Sequence, residues 1–199
     1  MRLKALILVP AAAAALALAG CSSDDSSDDA AASDTATTAV DSTAGADTCP
    51  TTAPAPGTQA DWTIEGQSGS LEVVAPTADA APLITVQAPF SVGETVVQTL
   101  VPGTGEEVSE TTTVNVCYEG VNGRDGKVFD SAFQTGRPVP FSAVQVVPGF
   151  GQALVGQKVG ASVAVAMTPD DGYGPTGQPA AGIEGGDTLI FALRILSVA

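Results

Sequence analysis

From about residue 93 onward, apolar and polar positions alternate in short runs separated by Gly and Pro. Val96-Val97-Gln98-Thr99-Leu100-Val101 reads as a strand, followed by the turn Pro102-Gly103-Thr104-Gly105. Over residues 113–119, Val114, Val116 and Tyr118 point one way and Asn115, Cys117 and Glu119 the other, because successive strand residues face opposite sides. Val163, Val165 and Met167 share a face of the next clear strand. The terminal strand sets Leu189, Phe191, Leu193 and Ile195 on one side, with Ile190, Ala192, Arg194 and Leu196 opposite. Residues 149–155 offer the one credible helix, and it is short. Several antiparallel strands and one short helix against a single buried face predict an α+β domain over residues 93–199. That length can sustain a core unaided.

The segment before it is less regular. Trp62-Thr63-Ile64, Leu71-Glu72-Val73-Val74 and Leu83-Ile84-Thr85-Val86 are strand-like runs split by Gly and Pro. Residues 61–92 therefore read as an amino-terminal extension, either packed on the main domain or partly ordered. Residues 21–60 read as a tether. They open Cys21-Ser22-Ser23-Asp24-Asp25 and continue in Ser, Asp, Ala and Thr without a basic residue. Such a stretch cannot bury enough apolar surface to offset chain entropy, so disorder is expected. Its end, Thr51-Thr52-Ala53-Pro54-Ala55-Pro56, is locally stiffened by proline.

Residues 1–20 have the form of a targeting signal. Arg2 and Lys4 precede an apolar run too short to span a bilayer comfortably. The run ends Leu18-Ala19-Gly20-Cys21, which resembles a bacterial lipobox. That resemblance implies acylation of Cys21 and a mature protein tethered to the outer side of the cytoplasmic membrane. Each buried methylene of the acyl chains contributes about 0.8 kcal/mol to such an anchor. An ordinary secretory signal cut after Gly20 is the alternative.

Charge and composition narrow the function. Seven basic residues face 22 acidic ones, and without Arg2 and Lys4 the net charge is −17. So acidic a chain repels phosphate backbones and anionic headgroups, which argues against nucleic-acid binding. The chain has no histidine, which removes Ser-His-Asp triads and His-ligated metal sites. What remains is a set of aromatic and branched apolar residues around one carboxylate, Asp130. Tyr118, Phe129, Val146, Val147, Phe150, Tyr173, Ile183 and Phe191 make up that set. It suits a pocket for an uncharged apolar group and requires neither metal nor cofactor.

With those residues in view, the segment from about Gly93 to the end resembles the FKBP-type peptidyl-prolyl cis–trans isomerases. The stretches that carry the resemblance are Tyr118-Glu119-Gly120, Asp125-Gly126-Lys127-Val128-Phe129-Asp130-Ser131 and Gly136-Arg137-Pro138. They continue with Val146-Val147-Pro148-Gly149-Phe150, residues 153–160, Gly172-Tyr173-Gly174 and Asp187-Thr188-Leu189-Ile190-Phe191, in family order. The resemblance implies an FKBP-like curved antiparallel sheet wrapped around one short helix, and rotation of Xaa-Pro bonds as the activity. By the same resemblance Tyr118, Phe129, Val146, Val147, Phe150 and Phe191 would line a proline slot with Phe150 as its floor. Tyr173 and the Val147 N–H would hydrogen-bond the substrate, Asp130 would be oriented by the Tyr118 hydroxyl, and Ile183 would cap the slot. The floor is commonly Trp in the family, and an aromatic often stands where this chain has Val139. The expected partners are proline-containing segments of secreted proteins and, through Cys21, the membrane; a monomer is expected. A non-catalytic proline-binding module and a merely structural envelope lipoprotein are the competing readings.

Cys49 and Cys117 remain. In an oxidising compartment they can form a disulfide that fastens residues 61–92 to the domain, or stay as two unrelated thiols.

Overall fold

The computed structural model describes residues 48–199. The expected signal segment 1–20, Cys21 and the expected tether as far as residue 47 lie outside the described residues. Two antiparallel sheets account for the strands. The first is a meander of β1 (Trp62–Glu65), β2 (Ser68–Val74) and β3 (Leu83–Ser91), so the extension is built of the three strand-like runs. The second is formed by β4 (Val96–Val101), β5 (Thr113–Asn122), β6 (Val128–Ser131), β8 (Ser162–Met167) and β9 (Leu189–Val198), with β7 (Val139–Ser142) added on β5. Its order is β4-β8-β9-β5-β6, and β9 lies antiparallel between β8 and β5.

Alternation along β5, β8 and β9 decides which side chains meet. Val114, Val116, Val163, Val165, Met167, Leu189, Leu193 and Ile195 point to one face and are buried. Against them lies α2 (Pro148–Leu154), which contributes Phe150, Ala153 and Leu154. Pro148 starts this helix at a position whose N–H would lack a partner anyway. The expected helix is thus present one residue earlier at each end. A shorter turn, α1 (Ala132–Thr135), is capped by Ser131, whose hydroxyl accepts the Gln134 N–H at 3.3 Å.

The expectation of a single buried face needs correction. The other face of the sheet presents Val121, Ala164, Ala166, Ile190 and Ala192, and Leu71, Val73 and Phe90 of the meander cover it. The apolar alternate positions of β8 and β9 required such a cover, and their small alanines let the second sheet approach closely. Ser162, fully buried, donates its hydroxyl to the Pro76 carbonyl at 2.6 Å and adds a polar tie between the two layers.

Of the segment expected to be a tether, residues 48–60 are described. They form no helix or strand, yet Cys49 is buried and bonded to Cys117 of β5 across 68 residues. The Cys49 N–H donates to the Gly136 carbonyl at 3.1 Å, and the Ala81 N–H donates to the Thr52 carbonyl at 2.8 Å. The disulfide, one of two alternatives the sequence left open, therefore fixes Cys49–Thr52 to the domain. Low-complexity composition alone carried no sign of that contact.

Candidate active site

Four strands and one helix converge on a cavity of about 350 Å³. Tyr118 comes from the middle of β5, Phe129 and Asp130 from β6, Phe141 from β7 and Phe191 from β9. Val146 and Val147 lie just before α2, Phe150 lies within it, and Tyr173 stands on the loop after β8.

The rings form a connected cluster. Phe150 packs edge-on against Phe191 at 5.1 Å between centroids and against Phe141 at the same distance. Phe129 meets Phe191 edge-on at 5.4 Å, and Tyr118 lies 5.4 Å from Phe141 and 6.0 Å from Phe150. Such tilted pairs are worth about 0.5–1.5 kcal/mol each beyond their buried area, so each ring is held by its neighbours. Gly120 makes room for two of them. A Cβ there would lie 2.6 Å from the tip of Phe129 and 2.7 Å from the edge of Phe191.

The polar groups sit at the rim. Asp130 is exposed and accepts a 2.5 Å hydrogen bond from the buried Tyr118 hydroxyl. Burial raises the Tyr118 pKa well above the ordinary phenol value, and the bond and charge of Asp130 raise it further. The phenol therefore stays protonated and remains a donor. Tyr173 is 37% exposed, with its hydroxyl available to a ligand at the mouth. The Val147 N–H takes no partner among the described residues, whereas the Val147 carbonyl starts α2 by accepting from Phe150 and Gly151 at 3.0 and 3.1 Å. The site thus offers an apolar slot with donors and one carboxylate around its opening.

Residues 104–196 match the family model described as FKBP-type peptidyl-prolyl cis-trans isomerase. The chain carries an FKBP-type domain. A probable FKBP-type peptidyl-prolyl cis-trans isomerase of Haemophilus influenzae is 38% identical over 96 residues, 48% of this chain and 39% of that protein. FkpA, an FKBP-type peptidyl-prolyl cis-trans isomerase of Escherichia coli, is 35% identical over 103 residues, 52% of this chain and 37% of its own. The outer membrane protein MIP of Legionella longbeachae is 39% identical over 98 residues, covering 48% and 40% of the two chains. The matched region spans about two-fifths of the length of these relatives. The crystal structure of FkpA from Escherichia coli aligns with a TM-score of 0.49 over 52% of this chain and 47% of that one, at 35% identity.

Within the FKBP-type domain, nearly all the residues singled out from sequence come together. Tyr118, Phe129, Asp130, Val146, Val147, Phe150, Tyr173 and Phe191 all line the cavity. Ile183 does not. It is 2% exposed and belongs to the main core. Two lining residues were missed, Phe141 and Gln145. Phe141 lies two residues beyond Val139 on β7, so strand alternation could have found it. Val139 is half-buried and packs against the core, and the aromatic wall on that side comes from Phe141. Gln145 follows no periodic pattern.

Proposed function

We propose that this protein is a peptidyl-prolyl cis–trans isomerase acting on proline-containing segments of secreted or envelope proteins. The observation that carries this reading is the aromatic slot with Asp130, Tyr173 and the Val147 N–H around its mouth. The Xaa-Pro amide resists rotation because its C–N bond is partly double, with a barrier of about 18–20 kcal/mol. Uncatalysed interconversion takes tens to hundreds of seconds. The double-bond character rests on charge separation that water stabilises, so an apolar slot weakens the planar form relative to the twisted one. A rate gain on the order of a million corresponds to about 8 kcal/mol. Amide desolvation supplies only about 1–3 kcal/mol. Selection of the twisted shape by the fixed rings, and hydrogen bonds from Tyr173 and Val147, must supply the rest. No bond is broken and no proton moves, which suits a chain without histidine.

The protein works as a monomer outside the cytoplasmic membrane, held by lipid on Cys21 through the acidic tether. The Cys49–Cys117 disulfide supports an oxidising compartment. The test of the activity is the cis-to-trans rate of a peptide with an apolar residue before proline. Acceleration that falls sharply with Asp130→Ala or Phe129→Ala is expected. A folded protein that leaves the rate at its uncatalysed value would remove the reading, and peptide binding without acceleration would make the slot a binding module. Cys21→Ser is expected to release the protein from membranes; retention would sink the anchor.

A further inference from the structure

The segment between β8 and β9, residues 168–188, carries Tyr173, and its helical structure consists of two 3-10 turns, Pro169–Asp171 and Pro179–Ala181. A loop of this length presents a side chain in one place only if it is tied down. Its beginning is tied by Thr95, whose hydroxyl donates to Asp171 and accepts the Thr168 N–H at 3.1 Å. Its end is tied by Asp187, which is 8% exposed. That carboxylate accepts from Asn122 Nδ2 at 2.6 Å, from the Glu184 N–H at 2.8 Å and from Arg124 Nε at 3.1 Å. Arg124 also donates from Nη2 to the Gly182 carbonyl at 3.1 Å.

The tied end reaches Tyr173 through the backbone. The Gly186 N–H, next to Asp187, donates to the Gly174 carbonyl at 3.1 Å, and the Gly177 N–H donates to the Tyr173 carbonyl at 3.0 Å. On its other side the turn that bears Arg124 is braced by the meander. Gly123 accepts from the Phe90 N–H of β3 at 2.8 Å and donates to the Thr188 carbonyl at 2.9 Å. Hydrogen bonds and the short backbone steps between them thus join the extension, the β5–β6 turn, Asp187 and the rim tyrosine.

We propose that Arg124, acting through Asp187, is a positioning residue that sets where the Tyr173 hydroxyl meets the substrate. This rests on the isomerase reading above. The guanidinium forks between a carboxylate and a carbonyl, which a point charge cannot reproduce. Loss of Arg124 leaves Asn122 and the Glu184 N–H on Asp187, so the loop stays attached but loses its fixed geometry.

The test uses the full chain with Arg124→Gln, Arg124→Lys, Tyr173→Phe and the double variant Arg124→Gln/Tyr173→Phe. Two readouts are taken: kcat/KM for Xaa-Pro peptides and amide hydrogen exchange at Gly186. Arg124→Gln is expected to lower kcat/KM on the order of tenfold, as small misplacements of positioned groups do, and to speed exchange at Gly186. Arg124→Lys should recover part of both losses. In the Tyr173→Phe background Arg124→Gln should cost little more, because the group it positions is gone. An equal cost in both backgrounds, or an unchanged kcat/KM, overturns the proposal. If the wild-type protein accelerates no peptide, the isomerase reading fails by itself, and unchanged exchange at Gly186 then sinks the positioning role independently of turnover.

Discussion

The buried hydroxyl of Tyr118 donates to Oδ2 of the exposed Asp130 at 2.5 Å, linking the inside of the slot to its mouth. Asp130 lies on β6 and Tyr118 on β5, which pair directly, so strand register brings the two together. Tyr118→Phe keeps the ring and removes the orienting bond. The expected result is a clear fall in kcat/KM with a stability loss of only about 1 kcal/mol, since Asp130 remains solvated. Isomerase assays and denaturant unfolding on the same variant check both halves. A variant as active as the wild type would show that the orientation of Asp130 is irrelevant.

The same phenol predicts an alkaline limit. Its folded pKa lies above the unfolded value of about 10. The stability it contributes is therefore fully present below about pH 10 and is lost as pH rises beyond that toward the folded value. Thermal unfolding from pH 8 to about pH 11 should show the wild type losing stability faster than Tyr118→Phe. Parallel curves would contradict the assignment.

Glu119 gives the opposite end of the scale. Burial raises its pKa, partly offset by the Ser131 hydroxyl, which donates to it at 3.2 Å. A raised folded pKa means that its contribution is present below the ordinary glutamate value and is lost as pH rises through the folded one. Glu119→Gln keeps an acceptor for Ser131 and removes the titration. Its melting temperature should exceed that of the wild type at pH 7, and the gap should close near pH 4.

Gly120 lies beneath two slot walls. Gly120→Ala places a methyl within 2.6 and 2.7 Å of the Phe129 and Phe191 rings. Overpacking of this kind costs about 1–3 kcal/mol. Both rings must shift, so the loss in kcat/KM should exceed what the stability change alone explains. Full activity in a folded Gly120→Ala protein would show the rings to be more mobile than their packing implies.

The meander should unfold together with the main sheet. Leu71 is fully buried between the layers, and Leu71→Ala is expected to cost about 2–5 kcal/mol in a single unfolding transition. Reduction of Cys49–Cys117 opens a loop with a sequence separation of 68 and should remove about 4 kcal/mol on a chain-entropy account. A separate early transition for the meander would show the two layers to be independent.

Strand faces and the slot were legible in the sequence because alternation is local. Leu189, Phe191, Leu193 and Ile195 separate from Ile190 and Ala192 by the geometry of an extended chain alone, and both sets are found where that geometry puts them. The aromatic residues and Asp130 could be read because their spacing carried a family resemblance. Ile183 was misplaced for the converse reason. Whether a loop residue caps a slot or fills the core depends on the path of residues 168–188, and hydrogen bonds to Asn122, Arg124 and Gly123, far away in the chain, fix that path.

By itself, then, the sequence determined the strand pattern, the helix, the aromatic set together with Asp130, and the lack of histidine. Tertiary structure alone decided that the extension covers the second face of the sheet, that Cys49 joins Cys117, and that Ile183 is buried in the core. The physical reason is that periodicity shows which way a side chain points, but the surface it meets is supplied by residues distant in the chain.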